Sequence, residues 1–526
     1  MTRLCRLAYA DPMSESQPPD SSPSPTTRAG LLSKASLAVL FASFGYIAIR
    51  FILTPIRIKI LTNVLDEDQY GTVTLVIMTI SFIVIVSSMG SLEFMLRKLP
   101  GTSRAYQYGI MKRAIQIFGG FSVVVALLGI GILLAIRPTK FDLSGIDYVL
   151  CGAILVVMTH LEQRGYFTLG QCLYARSRMT VLLYADGWLV PVLWFLLGGE
   201  ASTRKVLCMW GAWLVLTVFL TSRWVPLRRI WKEGEGGVTA RELLMFGLPA
   251  MPLVLGQWLF RLEDRYILMG LTDMATQANY GVCMNIAFVG FIAGTGILDL
   301  LMAEFNGVRN QHKSSDLAEL SSHEELRKLF SASLRFSSVI CIPLASVLIF
   351  AGPQITRFLT APKFYSAASI LPYTAAVPWL LLLGLVFGRT LMALNRIPVV
   401  GASTLVAAGA NVPLNFLLIP RYEAVGAALA TTISVGLLAL FLGWRAQAWK
   451  WIDRAEWMPA RTLGVLALSL AGAYGINLTL DAPSGVVLAA IAAWCGVLLL
   501  GSGMMGKRDL ELVSSSSRRR EEESAA

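Results

Sequence analysis

Windows of about twenty apolar residues recur from residue 37 almost to the end of this 526-residue chain. The hydrocarbon layer of a bilayer is about 30 Å thick, so a helix needs about 20 apolar residues to cross it, and its backbone must bond to itself there. The windows fall at 37–62, 70–95, 114–136, 147–171, 178–198, 204–224, 243–270, 279–303, 332–357, 366–388, 396–419, 424–445, 461–479 and 484–503, fourteen in all. The fourth and fifth are the least regular, because His160, Glu162, Arg164 and Asp186 interrupt them. Only 15% of the residues are charged, against about 25% in soluble proteins, and mean hydropathy is +0.62. The expected fold class is an all-α polytopic membrane protein with about fourteen transmembrane helices.

Loop charge sets an expected orientation. Loops after even-numbered spans are basic: Arg97, Lys98, Arg104, Lys112 and Arg113 after the second, Arg176 and Arg178 after the fourth, and so on to Arg445, Lys450 and Arg454. Loops after odd-numbered spans are short and carry few cations. Cytoplasmic loops concentrate Lys and Arg, so both termini are expected in the cytoplasm. The net charge of +12 is spread between spans and carries no nucleic-acid signal. Seven cysteines lack disulfide or metal spacing, and no metal or cofactor is expected. Residues 1–34 and 504–526 read as disordered cytoplasmic tails, the first lacking the apolar run of a signal peptide.

Two stretches echo one another. RIKILTNVLDEDQYG (57–71) and DRYILMGLTDMATQANYG (264–281) each carry a cation, an Ile-Leu pair, a short polar loop and Tyr-Gly opening the next helix. The offset, about 210 residues, is six spans. An even number preserves orientation, so the halves would relate by an axis along the membrane normal, as in one class of transporter repeats. The layout that follows is an N-terminal six-helix lobe (35–224), a cytoplasmic linker (225–242), a C-terminal six-helix lobe (243–445) and two additional transmembrane helices (446–503).

Charge inside the spans carries the functional signal. A cation at mid-bilayer costs roughly 2.5–3.5 kcal/mol by insertion scales, so it usually faces protein or a wet cavity. Arg50 and Arg57 in the first span are two helical turns apart, hence on one face, with Pro55 between them removing a backbone bond. That face is expected to line a positive, hydrated chamber, whereas Lys59 is equally suited to snorkel to the interface. In the seventh span Gln257, Arg261, Asp264 and Arg265 fall at helical spacing, and Arg261 can pair with Asp264. Glu93 and Arg97 end the second span, His160 is the one histidine within a span, and Asp186, Asp299 and Glu304 are further candidates. The excess is cationic. A guanidinium fork matches phosphate oxygens, so a substrate with phosphate or pyrophosphate fits better than an organic cation. Candidate substrate-binding residues are Arg50, Arg57, Arg261, Arg265 and Gln257; candidate coupling residues are Asp264, Glu93 and His160.

LPAMPLVLGQWLFRLEDRYILMGLTDMATQANYG (248–281) and NVPLNFLLIPRYEAVGAALATTIS (411–434), with the opening ILTNVLDEDQYGTVTLV, resemble the Wzx-type O-antigen and exopolysaccharide flippases of the multidrug/oligosaccharidyl-lipid/polysaccharide exporter superfamily. The likeness is strongest at Asn415, Pro420, Gly426, Ala427, Ala428 and Thr431. It implies two six-helix lobes around a central cavity in a bacterial inner membrane. The implied substrate is undecaprenyl-pyrophosphate-linked oligosaccharide, moved to the periplasmic leaflet by alternating access. Polysaccharide polymerase or export machinery would be its partner, besides the lipid bilayer. Cationic side chains on the first and seventh helices would hold the pyrophosphate. Glu263 beside Asp264 departs from the pattern, and Asn411 and Asn415 read mainly as interhelical hydrogen-bond formers.

Rival functions are weaker. GSGMMGKR (501–508) has Arg508 where a phosphate-binding loop needs Ser or Thr, which disfavours an ATP-driven pump. A membrane glycosyltransferase could use Asp66, Glu67 and Asp68, but their loop is too short for a catalytic surface, and the acids suit the start of the second helix. The chain is not expected to be an enzyme. A peptidoglycan-precursor lipid flippase and a drug/cation antiporter remain as alternatives within transport.

Overall fold

A computed structural model describes residues 34–501 apart from 89–93, 96–97, 100–101, 137–142, 172, 198–199, 235–237, 248–250, 312–316, 395, 454–456, 458 and 481–483; at some helical positions only the backbone is described. The chain is an all-α polytopic membrane protein, and no strand occurs among the described residues. The early helices are α1 (Lys34–Val64), α2 (Glu67–Ser88), α3 (Arg104–Ala135), α4 (Gly145–Gly170), α5 (Tyr174–Ala185) and α6 (Thr203–Ser222). Next come α7 (Met251–Leu271), α8 (Met274–Gln311), α9 (Glu324–Phe350) and α10 (Leu371–Ala393). After a helical run Ile397–Arg445, the last two are Pro459–Thr479 and Ser484–Gly501.

The run Ile397–Arg445 is a hairpin. As one straight rod its 49 residues would reach about 74 Å, more than twice a bilayer's apolar thickness. Glu423 breaks it, with φ 49° and ψ −127°. Beyond the break the chain folds back. A Cβ on Gly426 would lie 2.4 Å from the Leu418 carbonyl oxygen, and Ser434 Oγ donates to Asn411 Oδ1 at 3.1 Å. The two arms, α11 (397–422) and α12 (424–445), bring the numbered helical segments to fourteen, of which α5 is too short to cross a membrane by itself, with α13 (Pro459–Thr479) and α14 (Ser484–Gly501) closing the series. Each coincides with one apolar window of the sequence.

Lipid gives helices little hydrophobic reason to associate, so close approach at small residues does much of that work. Gly256 of α7 lies against the backbone of Thr404 and Leu405 in α11; Gly290 and Gly294, one turn apart on α8, lie against Leu344 of α9 and Leu382 of α10. Packing gathers α2, α3, α5 and α6 around α4, with α1 against α5 and α8, and gathers α7–α12 around α8, α10 and the hairpin; α13 and α14 pack on each other and on α9.

The two groups meet where the sequence repeats. Helices α1 and α2 pack on α8, and α2 also packs on α7. Tyr70 and Tyr280 are both buried there. The glycine after Tyr70 leaves room for the other half, since a Cβ on Gly71 would sit 2.9 Å from Gln277 and Met274; one on Gly281 would sit 3.2 Å from Arg265 of its own half. Polar bonds cross the seam. Asn279 donates to Glu67 at 2.9 Å, Asn285 to the Tyr70 hydroxyl at 3.4 Å, and the hydroxyls of Thr79 and Tyr266 pair at 2.7 Å. Lys59 does not reach for an interface; its Nζ donates to the Thr360 carbonyl at 3.2 Å.

Gly426→Ala is expected to destabilise the protein by about 1–3 kcal/mol through forced separation of α11 from α12. Glu423→Gly, at a backbone angle that favours glycine, is expected to leave stability unchanged or raise it. Thermal unfolding in detergent compares the two.

Candidate functional site

Helix α5 ends inside the membrane, and its end is built with care. The expected fifth span runs unbroken through 178–198. Instead Tyr174–Ala185 stops at Asp186-Gly187, and short helical turns Leu189–Val192 and Leu193–Leu197 follow. A helix end leaves carbonyls without partners, which is costly away from water. Here two indoles supply them. Trp213 Nε1 donates to Leu183 O at 2.7 Å and Trp188 Nε1 to Ala185 O at 3.0 Å, while the Asp186 and Gly187 amides both donate to Leu182 O. Only glycine fits at 187, because a Cβ would lie 2.6 Å from Leu183 O and 2.7 Å from Trp213 Nε1.

The break delivers Asp186 to the charged face of α1. Its carboxylate is 2% exposed and bridges both arginines: Oδ2 lies 2.7 Å from Arg50 Nε, and Oδ1 3.4 Å from Arg57 Nη1. The arginines keep 26% and 23% of their side-chain surface exposed, so the carboxylate anchors one edge of each guanidinium and leaves surface for another anion. Arg50 Nη1 also donates to the Tyr46 hydroxyl at 3.1 Å. A third guanidinium joins from α5. Arg178 lies over the Tyr46 ring, 5.2 Å from its centre, and Arg50 lies 5.7 Å from it. Nearby, the Tyr184 hydroxyl donates to Glu162 at 2.7 Å.

The arginines of α1 therefore share one face, as their spacing implied, and Asp186 compensates part of their charge. Arg178, read from sequence as part of a basic loop, stands on α5 and faces the cluster. The signal that marks the break is Asp-Gly, a turn dipeptide, in the middle of an apolar window. Arg178 offered no comparable sign.

Other expected site residues are placed as follows. His160 Nε2 accepts from Arg164 Nε at 3.0 Å, and the buried Arg164 reaches Val218 O and Thr221 Oγ1 at 2.7 and 2.8 Å, a strut from α4 to α6. Asp264 is 1% exposed and accepts from the hydroxyls of Tyr280 and Thr431 and from the Arg265 amide. Its oxygens are thus engaged apart from the expected pairing with Arg261, whose side chain, with that of Gln257, lies outside the described residues, as do Glu93 and Arg97 and the side chains of Asp299 and Glu304. Arg265 is 2% exposed, and its Nη1 has no hydrogen-bond partner. Glu263, half-buried, leaves Oε1 unbonded beside Asn411. Asn411 bonds across the hairpin as expected; Asn415 is fully buried with both amide atoms unpartnered.

No family model and no curated protein sequence matches the chain. Solved structures do. The lipid II flippase MurJ in an inward closed conformation is similar with a TM-score of 0.64 at 12% identity, covering 90% of this chain and 100% of the flippase. An inward-facing multidrug resistance MATE family transporter of the MOP superfamily matches with a TM-score of 0.62 at 12% identity, covering 78% of this chain and 98% of that one. An outward-facing MATE transporter matches less well, at 0.52 and 12% identity over 78% of this chain and 95% of that one. The fold is that of MOP-superfamily transporters and flippases.

Gly187→Ala is expected to dislodge Trp213 and uncap α5, costing about 1–3 kcal/mol. The same variant should shift Asp186 away from α1, read as a change in tryptophan fluorescence together with a lower unfolding temperature.

Proposed function

We propose that this protein flips a lipid-linked glycan, with undecaprenyl-pyrophosphate-linked oligosaccharide as substrate, from the cytoplasmic to the periplasmic leaflet for polysaccharide synthesis or export. The observation that carries the reading is the gathering of Arg50, Arg57 and Arg178 around Tyr46 and one buried carboxylate, inside a membrane fold shared with a lipid flippase. A diphosphate suits partly exposed guanidinium groups, whereas an organic cation would be repelled by them. The likeness to the lipid II flippase extends over 90% of the chain, and that to the MATE transporters over 78%. A peptidoglycan precursor shares the diphosphate and is the second reading.

On this account Arg50 and Arg57, with Arg261 and Arg265 from the second half, bind the diphosphate while the glycan occupies an aqueous space between the halves. The polyprenyl tail stays in lipid. Translocation needs a difference in affinity between two states of the protein. The seam of Glu67–Asn279, Tyr70–Asn285 and Lys59–Thr360 supports a state closed at the ends of α1 and α7, in keeping with the better match to the inward-facing relatives. Opening there would break those bonds. Asp264, Glu93 and His160 are proposed to couple an ion to that change. Both termini would lie in the cytoplasm.

Arg50→Gln and Arg57→Gln are expected to insert normally yet abolish translocation of a labelled lipid-linked oligosaccharide in proteoliposomes, with Lys59→Gln close to wild type. Translocation at the wild-type rate by Arg50→Gln would overturn the role of this cluster. A second test joins the seam: cysteines replacing Glu67 and Asn279, bridged by a short reducible linker, should stop translocation until the linker is cut.

A further inference from the structure

The number and arrangement of charges around Tyr46 go beyond a generic basic site. Three guanidinium groups, those of Arg50, Arg57 and Arg178, share this corner with the one carboxylate of Asp186. The balance is two positive charges. A diphosphate bridging a lipid and a sugar carries two negative charges; a monophosphate in the same place carries one. The remaining acid nearby, Glu162, accepts from the Tyr184 hydroxyl.

Asp186 is an unusual partner for these arginines. It follows the last residue of α5, at the end of the helix where the backbone dipole is negative and a carboxylate is disfavoured. Its side chain is almost wholly buried, so ionised it depends on the two arginines for compensation. It does not grip either arginine through both nitrogens of the fork. It touches Nε of one and Nη1 of the other, with the Nε contact close in distance but outside hydrogen-bond alignment. That bridge fixes how far apart the two guanidinium groups lie while leaving other nitrogens of each for a ligand. On the opposite side of the corner, Arg178 Nε is buried and has no hydrogen-bond partner. A donor so placed costs free energy until an acceptor arrives.

We propose that Asp186 is a positioning residue and Arg178 a third anion ligand, and that together they tune this corner to a doubly charged diphosphate headgroup over a singly charged phosphate. The inference rests on the flippase reading and adds to it what selects the headgroup. Asp186 sets the spacing of Arg50 and Arg57, and the broken end of α5 exists to put it there. Arg178 supplies the donor that meets the second phosphate.

The test measures binding of two probes to the full-length protein in lipid nanodiscs: a polyprenyl diphosphate carrying one hexose, and the matching polyprenyl monophosphate hexose. Wild type is expected to prefer the diphosphate by about tenfold or more, the effect of one additional charge-assisted contact. Arg178→Gln should lose most of that preference, weakening the diphosphate by a much larger factor than the monophosphate. Asp186→Asn should also lose it, and Asp186→Glu should restore part, a pattern that a purely structural role would not give. An unchanged diphosphate preference in Arg178→Gln, or in a folded Asp186→Asn, overturns the inference; so does Asp186→Asn binding both probes more tightly, which would make the carboxylate a competitor. If Asp186→Asn does not fold, Arg178→Gln alone decides. Failure of the wild type to bind either probe would instead overturn the flippase reading itself.

Discussion

Inside a membrane every charge and every broken backbone hydrogen bond has to find its partner in the protein, and that demand shapes this molecule more than propensity does. Arg50 and Arg57 are tolerable on α1 because Asp186 meets both. Asp186 is available because α5 breaks beside it, and the break is tolerable because Trp213 and Trp188 take its carbonyls. Each feature is expensive alone. Together they close a circuit in which removing one member strands another, so a sequence with charges in its first span had to acquire an interruption in its fifth.

The second half meets the same demand differently. Asp264 is enclosed by the hydroxyls of Tyr280 and Thr431 and by the amide of Arg265. Thr431 comes from α12, so the tight turn of the hairpin, with Gly426 against Leu418, is what brings a hydroxyl to α7. The small residues Gly426, Ala427 and Ala428 thus have a packing reason, and its consequence is a buried acid held by hydroxyls. Arginines dominate the described cluster on α1 and α5, while acids and amides dominate the described surroundings of α7. On the flippase reading both halves lend arginines to the headgroup, and Asp264 of the second half is one of the groups that couple an ion.

Much of the fold was legible because the membrane imposes one period and one length. Fourteen apolar windows became fourteen helical segments, and even the hairpin at Glu423 was anticipated by two windows on either side of it. The repeat at Tyr70-Gly71 and Tyr280-Gly281 was visible as well, although its cause was not: Gly71 makes room for Gln277 and Met274 about 200 residues away, whereas Gly281 makes room for Arg265 in its own half. The site was half legible. Helical spacing put Arg50 and Arg57 on one face, but spacing within one helix says nothing about which other helix faces it. Asp186 could be noticed as a flaw in hydropathy; that it bridges both arginines depends on tertiary packing. Arg178 sat at the edge of a window, where loop and helix look alike.

Lys59 shows how the same charge can serve a different purpose two residues away. It follows Arg57 by two residues, which on a helix turns it well away from the arginine face. There it reaches the Thr360 carbonyl in the other half, close to the short helix Gly352–Leu359. A carbonyl at a helix end is short of a donor, and an ammonium with three hydrogens can meet it without a rigid fork. Arginine at 57 and lysine at 59 therefore divide along chemistry: the planar group where an anion must be gripped at a set angle, the flexible one where a seam must close and, on the proposed cycle, let go.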